Sequence, residues 1–149
     1  MEMPRLIFKT IRKFATHPSE AWLLCRMAWW VVVLSITARC YSLPRALQIV
    51  ARTNNRKELS SVVTSQTDLA RTIDLLLSAD VFVFKPVCWK RAAVLHRYLS
   101  LNGMATRIIF GVRNETDDKL SGHAWLEANG LPILEQTPPQ YIVTYSFPV

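Results

Sequence analysis

The chain has 149 residues, of which 50% are hydrophobic and 19% are charged. This length and composition describe one globular domain with a hydrophobic core, and they exclude an intrinsically disordered chain. The net charge of +7 falls in residues 1–60, which carry ten Lys or Arg and three Glu, and it indicates either a docking surface for a partner, an acidic peptide or anionic lipid, or a solvated helical face.

The first predicted helix contains an apolar stretch, Ala21–Ala38, whose 18 residues approach the ~20 that a bilayer span needs. Arg26 within this stretch is costly at the centre of a bilayer, and its most apolar part, Ala28–Ile36, is too short to cross. We therefore expect a buried or interfacial helix, with peripheral membrane contact through residues 21–38. Its tryptophans either anchor a helical core or contact a partner or lipid headgroups.

Turn signals divide the rest of the first half of the chain. Residues 42–44 (SLP) end the first helix and begin a second. The polar, basic stretch Arg52–Lys57 is a predicted connector, after which residues 59–79 form one or two helices. The sequence therefore predicts a basic helical region over residues 1–58 and a second domain over residues 59–149.

Cys88 lies where the extended segment Phe84–Val87 turns into a helix with an apolar stripe. Asn102 and Gly103 supply the left-handed stop with which helices commonly end. The N-terminus of a helix has unpaired N–H groups, which favour a thiolate and can donate hydrogen bonds to an oxyanion. Cys88 is therefore the candidate nucleophile.

Beyond Gly103 the hydrophobic period changes from about 3.6 residues to about 2, which predicts strands. The expected strands are residues 104–112, 122–127 and 131–135. A polar loop is predicted over residues 114–121. The predicted fold class is α+β, with a helix packed on a small antiparallel sheet and an α-helical region before it.

The turn between the last two strands decides which acid reaches His123. Asn129-Gly130 predicts a hairpin. A two-residue loop places His123 and Glu135 on opposite faces, whereas a three-residue loop, Ala128–Gly130, sets Glu135 directly opposite His123. Because cross-strand Cβ atoms are then only ~4.5–5.5 Å apart, we predict the three-residue loop, with Glu135 orienting the imidazole.

Other acids and histidines lie too far from these groups. Glu127 is four residues from His123 along one strand, roughly 13 Å. His96 is eight residues from Cys88 along the helix, roughly 12 Å. The predicted catalytic residues are Cys88 as nucleophile, His123 as general base and acid, and Glu135 as orienting acid. The alternative is a chance trio of a buried Cys, a surface His and a strand-end Glu.

The remaining cysteines and histidines indicate no second site. Cys25 and Cys40 lie in apolar helical surroundings, where cysteine is usually a small core residue. The three cysteines and three histidines show no metal-ligand spacing, and no phosphate-binding loop is present, so we expect no metal, no cofactor and no nucleic-acid partner. An odd number of cysteines without a secretory signal favours reduced thiols and a cytoplasmic location.

Several segments of the second half resemble one enzyme family. They are Cys88–Leu95 (CWKRAAVL), Gly103, Ile109–Arg113 (IFGVR), His123–Glu127 (HAWLE), Asn129-Gly130 and Pro132–Glu135 (PILE). In this order and spacing they look like the transglutaminase-like leader peptidases of lasso-peptide biosynthesis, in the stand-alone protease form. The similarity covers residues 85 to about 140, and the N-terminal third resembles the family only in its apolar, basic character.

The resemblance implies a papain-like cysteine peptidase domain over residues 59–149 that removes the leader from a ribosomally made precursor peptide. Cys88 matches the family nucleophile, His123 the base, and Glu135 the acid position, which is Asp in many members. The freed amine is then available to an ATP-dependent macrolactam synthetase. Short members depend on a separate small leader-recognition protein, and this chain has no room for such a domain, so residues 1–58 are expected to dock the partner or the leader.

Two further function classes stay open on sequence alone. A transglutaminase or amidase would use the same triad and pass the acyl group to an amine. A non-catalytic module would keep the fold and bind a peptide through its basic helices. Trp89, Arg91 and Trp125 are predicted to contact substrate, with core tryptophans and an exposed helix arginine as the alternative.

Overall fold

The computed structural model describes residues 18–52, 65–79, 84, 87–116, 119–135 and 139–148. Its helices are α1 (Pro18–Cys40), α2 (Leu43–Ala51), α3 (Gln66–Leu77) and α4 (Cys88–Leu101). Its strands are β1 (Arg107–Thr116), β2 (Lys119–Ala128), β3 (Leu131–Ile133) and β4 (Ile142–Phe147). The strands form one antiparallel sheet in the order β3-β2-β1-β4, and the predicted α+β class is confirmed.

Helix α4 begins and ends where the sequence predicts. Val87 is extended, with φ −112° and ψ 122°, and Cys88 is the first helical residue. At the other end Asn102 caps the helix and Gly103 adopts a positive φ of 82°, a conformation that glycine enters without steric cost. The predicted break at residues 42–44 also separates α1 from α2. Residues 53–64, which hold most of the predicted connector and the boundary at residue 58, lie outside the described part of the chain.

One hydrophobic core joins the helices to one face of the sheet. It includes Val31 of α1, Leu47 of α2, Ile73 of α3, Leu95 of α4 and Ile108 of β1. A buried leucine or isoleucine in such a core contributes about 2–5 kcal/mol relative to alanine. The four helices and the sheet are therefore held together by shared apolar burial.

Arg97 adds a polar link between α4 and the N-terminal helices. Its Nη1 donates to the carbonyl oxygens of Val50 at 2.7 Å and of Arg52 at 3.1 Å, at the end of α2. The guanidinium carbon also lies 3.7 Å from the centre of the Trp30 ring. Carbonyl groups in the last turn of a helix have no partner within the helix, so Arg97 supplies one.

Helix α1 has two different apolar faces. Met27, Val31 and Leu34 face the core and are completely buried. Trp22 and Trp29 are exposed by 66% and 64% on the opposite side. Residues 21–40 are long and apolar enough to cross a membrane by length and composition, as are many core helices.

The prediction that Cys25 and Cys40 are core residues is wrong, because both lie on the side of α1 that faces away from the core and are exposed.

The hairpin of β1 and β2 is longer than the sequence predicts. Residues 114–116 and 119–121 belong to the two strands, so the predicted polar loop over residues 114–121 is wrong. A ribbon that extends beyond the core can be polar on both faces, which makes its sequence resemble a loop. Strand β3 is also shorter than predicted and ends at Ile133, and β4 has no counterpart among the predicted strands.

Candidate active site

The N-terminus of α4 places the Cys88 thiol beside a backbone N–H that has no acceptor among the described residues. The N–H groups of Lys90 and Arg91 both donate to the carbonyl oxygen of Val87, at 3.1 and 3.3 Å. Among the described residues, none accepts a hydrogen bond from the N–H of Cys88. The side chain of Cys88 is partly exposed. This N–H is therefore available to an oxyanion that forms at a carbon bonded to the thiol sulfur.

His123 lies on β2 and contacts the predicted acid. Its Nε2 atom is 3.3 Å from Oε2 of Glu135, and both side chains are largely buried, at 27% and 18% exposure. The structure therefore brings together two of the three predicted catalytic residues. Glu135, whose side chain is one methylene longer than that of an aspartate, reaches a nitrogen of the imidazole ring.

The predicted three-residue hairpin loop is wrong. The ladder pairs Ala128 with Leu131, so the loop is the two residues Asn129 and Gly130, with φ of 53° and 77°. Two successive residues at positive φ form the type I′ turn, whose twist matches that of the flanking strands. If β3 continued in this register, Glu135 would face away from His123.

The backbone at Leu134 leaves the strand conformation, and this turn allows Glu135 to contact His123. Its φ is 59°, in the left-handed region, directly after the last residue of β3. A residue with a side chain in that region costs on the order of 1–3 kcal/mol, so surrounding contacts must hold it there. The turn at Leu134 ends the alternation of faces and brings the Glu135 carboxylate to His123.

The contact with Glu135 specifies how His123 can act. When Nε2 carries the proton and donates to the carboxylate, Nδ1 has the lone pair and serves as the base. Helix α4 packs against β2, and Arg91, one turn after Cys88, reaches the same carboxylate. Among the described residues the thiol of Cys88 makes no hydrogen bond with His123. The Glu135 carboxylate thus joins His123 to Arg91 in the first turn of the helix that begins at Cys88, and no contact between Cys88 and His123 occurs among the described residues.

Glu127, the rival acid, has another partner. It accepts a hydrogen bond from Nε1 of Trp125 at 3.1 Å, and no contact between Glu127 and His123 occurs in the described part of the chain. Trp125 is 3% exposed, and its ring lies nearly parallel to that of His123, with centres 6.0 Å apart. Its predicted role as a substrate contact stays a prediction; in the structure it packs against the imidazole.

Tyr141 and Gly111 complete the surroundings of the imidazole. The Tyr141 ring centre is 5.3 Å from that of His123 and 6.1 Å from that of Trp125. Gly111 is directly opposite His123 in the β1–β2 ladder. A Cβ atom on Gly111 would lie 2.7 Å from Cβ of Tyr141 and 3.0 Å from the Trp125 ring. Only a glycine therefore leaves room for both rings beside His123.

The other two predicted substrate contacts, Arg91 and Trp89, make contacts within the chain itself. Nε of Arg91 donates to Oδ1 of Asp74 at 2.6 Å, and its Nη2 donates to Oδ2 at 3.3 Å. Nη2 also donates to the carbonyl oxygen of Leu134 at 3.2 Å, and Nη1 to Oε1 of Glu135 at 3.4 Å. Trp89 is partly buried against the core. A role in substrate binding stays a prediction for both residues.

His96, which is excluded as the base by its distance from Cys88 along the helix, is a core residue. It is 6% exposed, and its Nδ1 is 2.8 Å from Oγ1 of Thr106. Its ring packs edge-on against Phe147, with ring centres 5.9 Å apart. Burial lowers the pKa of His96 below 6.5, because the apolar surroundings disfavour the charged imidazolium.

A groove of about 460 Å³ opens beside Tyr141. Arg113 on its wall lies with the guanidinium carbon 4.9 Å from the Tyr141 ring centre. The groove walls come from β1, β2, β4 and the segment before β4; they are Val112, Arg113, Asn114, Leu120, Pro139, Gln140, Tyr141 and Ile142. Tyr141 lines this groove and its ring also lies beside that of His123, whereas Cys88, His123 and Glu135 are not among the described wall residues.

Sequence reasoning assigns no role to Asp74, Gly111 or Tyr141, although Gly111 lies within the segment Ile109–Arg113 (IFGVR). Asp74 lies on α3 among leucines, and nothing local marks it as a partner of Arg91. The position of Tyr141 depends on a register shift between β1 and β4 at Phe110 and Gly111. A β-bulge of this kind has no sequence signal stronger than the glycine itself.

The family model described as transglutaminase-like superfamily matches residues 28–146, which include three of the four described helices in full, most of α1, and nearly all of the sheet. No curated protein and no solved structure matches the chain.

Proposed function

Because the chain belongs to the transglutaminase-like superfamily, we propose that it is a cysteine peptidase that removes the leader from a ribosomally made lasso precursor peptide. Such a domain indicates cysteine-based hydrolysis or acyl transfer. The observation that carries the proposal is the pairing of His123 with Glu135 beside the helix that begins at Cys88. The motifs around these residues, which look like those of the leader peptidases, support the finer assignment.

The proposed reaction begins with attack of the Cys88 thiolate on the carbonyl carbon of the scissile bond. The oxyanion accepts a hydrogen bond from the N–H of Cys88. Nδ1 of His123 carries the proton taken from the thiol and gives it to the leaving amine as the C–N bond breaks. Water then attacks the thioester while His123 takes a proton from it, the C–S bond breaks, and the leader leaves with a new C-terminal carboxylate as His123 returns the proton to the Cys88 sulfur.

The environment of His123 suits both steps. Glu135 accepts from Nε2 and stabilises the imidazolium that forms when the thiol loses its proton. The largely buried Trp125 and the Tyr141 ring pack against the imidazole and limit its rotation. The groove beside Tyr141 is where we place an extended stretch of the precursor peptide.

The deciding experiment is incubation of the purified chain with the precursor peptide encoded beside it, with and without the recognition protein, read by mass spectrometry. We expect two fragments whose masses sum to the precursor plus one water. Cys88→Ala is expected to abolish cleavage. Cys25→Ala, which removes an exposed cysteine far from Cys88 in the sequence, is expected to leave the cleavage rate unchanged. Cleavage by Cys88→Ala at the wild-type rate would refute the proposal. A product bonded to an added amine would identify an acyltransferase instead.

The proposal includes two protein partners. A separate small recognition protein binds the leader and docks on the basic N-terminal region, and an ATP-dependent macrolactam synthetase uses the freed amine. Reversing the charges of Arg52, Arg56 and Lys57 is expected to weaken binding of the recognition protein. Arg52 is exposed, while Arg56 and Lys57 lie outside the described residues. Unchanged affinity would exclude this stretch as the docking site.

We also propose that the outer face of α1 rests on an anionic membrane surface in the cytoplasm. Trp22, Trp29 and Ile36 are spaced by seven residues, so they form one exposed stripe on the helix. The excess of seven positive charges within residues 1–60 complements anionic headgroups. Because the opposite face of α1 is buried in the core, the contact is peripheral.

A further inference from the structure

We infer that Arg91 and Asp74 are positioning residues, which hold Leu134 and Glu135 so that Glu135 fixes the tautomer of His123. The sequence predicts Arg91 to be a substrate contact. Its guanidinium, however, is engaged by three groups of the chain itself: two carboxylates and a backbone carbonyl. These contacts use four of the five N–H donors that an arginine offers.

Asp74 is the anchor of this arrangement. It lies on α3 and pairs with Arg91 of α4 through two hydrogen bonds, one to each carboxylate oxygen, at 2.6 and 3.3 Å. A planar fork on a carboxylate fixes both the position and the plane of the guanidinium, which a lysine ammonium cannot do. The remaining N–H groups of Arg91 are then directed at the segment that follows β3.

That segment needs an external support. Leu134 has a left-handed φ of 59°, and the bond from Arg91 to its carbonyl oxygen, at 3.2 Å, holds the strained peptide. If Leu134 relaxed to an extended conformation, Glu135 would follow the register of the ribbon and turn away from His123. The contact between Arg91 and Leu134 therefore preserves the path that brings the acid to the imidazole.

Arg91 also orients the carboxylate of Glu135. Nη1 lies 3.4 Å from Oε1, and Nε2 of His123 lies 3.3 Å from Oε2. With one oxygen held by a permanent cation, the other stays directed at the imidazole as an acceptor. This acceptor oxygen therefore favours the tautomer of His123 that has the proton on Nε2 and the lone pair on Nδ1.

The first test needs no substrate and measures the ring nitrogens of His123 by 15N NMR, at about pH 8 where free imidazole is neutral. We expect the wild type to show predominantly the Nε2–H tautomer, and Asp74→Asn and Arg91→Gln to shift the His123 signals toward a mixture. The signals are assigned with His123→Gln. Matched controls are Asp68→Asn and Arg71→Gln, which change an exposed ion pair of 4.0 Å on the same helix α3.

Unchanged His123 signals in a folded Asp74→Asn protein would overturn the inference. Asp74→Asn keeps the size of the side chain, so this variant tests the positioning role even if Arg91→Gln lowers the stability of the protein. Arg91→Lys is expected to behave like Arg91→Gln, since an ammonium cannot bridge two carboxylates and a carbonyl at once. Asp74→Glu, which keeps a carboxylate, is expected to restore part of the wild-type signal.

The second test is kinetic, and it rests on the proposed function. With the precursor peptide as substrate, Asp74→Asn and Arg91→Gln are expected to lower kcat by about tenfold to 100-fold with little change in KM, because they misplace a catalytic group. A higher KM with unchanged kcat would make Arg91 a substrate contact and overturn the inference. A precursor that the wild type does not cut would refute the proposed function, while the NMR comparison would still decide the role of Arg91.

Discussion

Gly111 lies directly opposite His123 in the β1–β2 ladder and provides the space into which the rings of Trp125 and Tyr141 pack. It also lies at the register shift between β1 and β4, which sets the position of Tyr141. A single residue without a side chain therefore determines how the aromatic groups surround the candidate base.

Gly111→Ala is expected to reduce both stability and activity. The new methyl group would be 2.7 Å from Cβ of Tyr141, so the strand or the ring must move. Overpacking of this kind costs about 1–3 kcal/mol, which thermal unfolding detects. The matched control is Gly122→Ala, because a Cβ atom there has no neighbour within 4 Å. Equal melting temperatures for the two variants would contradict the close packing at Gly111.

Glu135→Gln is expected to lower kcat for leader removal by at least about 100-fold, through loss of the oriented imidazole. Both oxygens of Glu135 accept hydrogen bonds, one from His123 and one from Arg91. An amide has only one acceptor, so one of these contacts becomes a clash between two donors.

Glu127→Gln is the control for this change. Glu127 accepts one bond, from Trp125, and the amide oxygen of a glutamine can keep it. The activity of this variant is therefore expected to stay within a fewfold of wild type. If instead Glu127→Gln were the more damaging of the two substitutions, the acid assigned to His123 would be the wrong one.

Local sequence signals predict the fold better than they predict the contact between His123 and Glu135. The start of α4 at Cys88 and its stop at Gly103 follow from an extended residue before the helix and a glycine after it. The predicted contact of Glu135 rests on a three-residue loop that the structure does not have, and the observed contact depends on the strained turn at Leu134. Leucine has no preference for that conformation, so tertiary contacts must impose it.

His96 is expected to make the protein less stable as the pH falls. Burial lowers its pKa below 6.5, so the folded state keeps a neutral imidazole while the unfolded chain takes up a proton near pH 6.5. The unfolded state then binds more protons, and the free energy of unfolding decreases as the pH falls through and below that value.

Denaturant unfolding of wild type and His96→Asn between about pH 5 and about pH 8 measures this effect. Asparagine can keep a hydrogen bond with Thr106 and does not titrate. The variant is expected to lose less stability on acidification than the wild type does, although its stability at about pH 8 is lower because the ring contact with Phe147 is removed. Parallel pH dependences for the two proteins would show that another group causes the acid sensitivity.

The exposed stripe of α1 is expected to bind vesicles that contain phosphatidylglycerol, and to bind pure phosphatidylcholine vesicles much less. Tryptophan side chains favour the headgroup region, and nearby basic residues add an attraction that salt screens. Trp22→Ser combined with Trp29→Ser should abolish co-sedimentation with the anionic vesicles. Leu131→Ser combined with Ile142→Ser is the control, since these side chains are exposed by 69% and 75% on the sheet instead. A wild-type chain that stays in the supernatant with anionic vesicles, at low salt, would refute the membrane contact and leave the stripe as a surface for a protein.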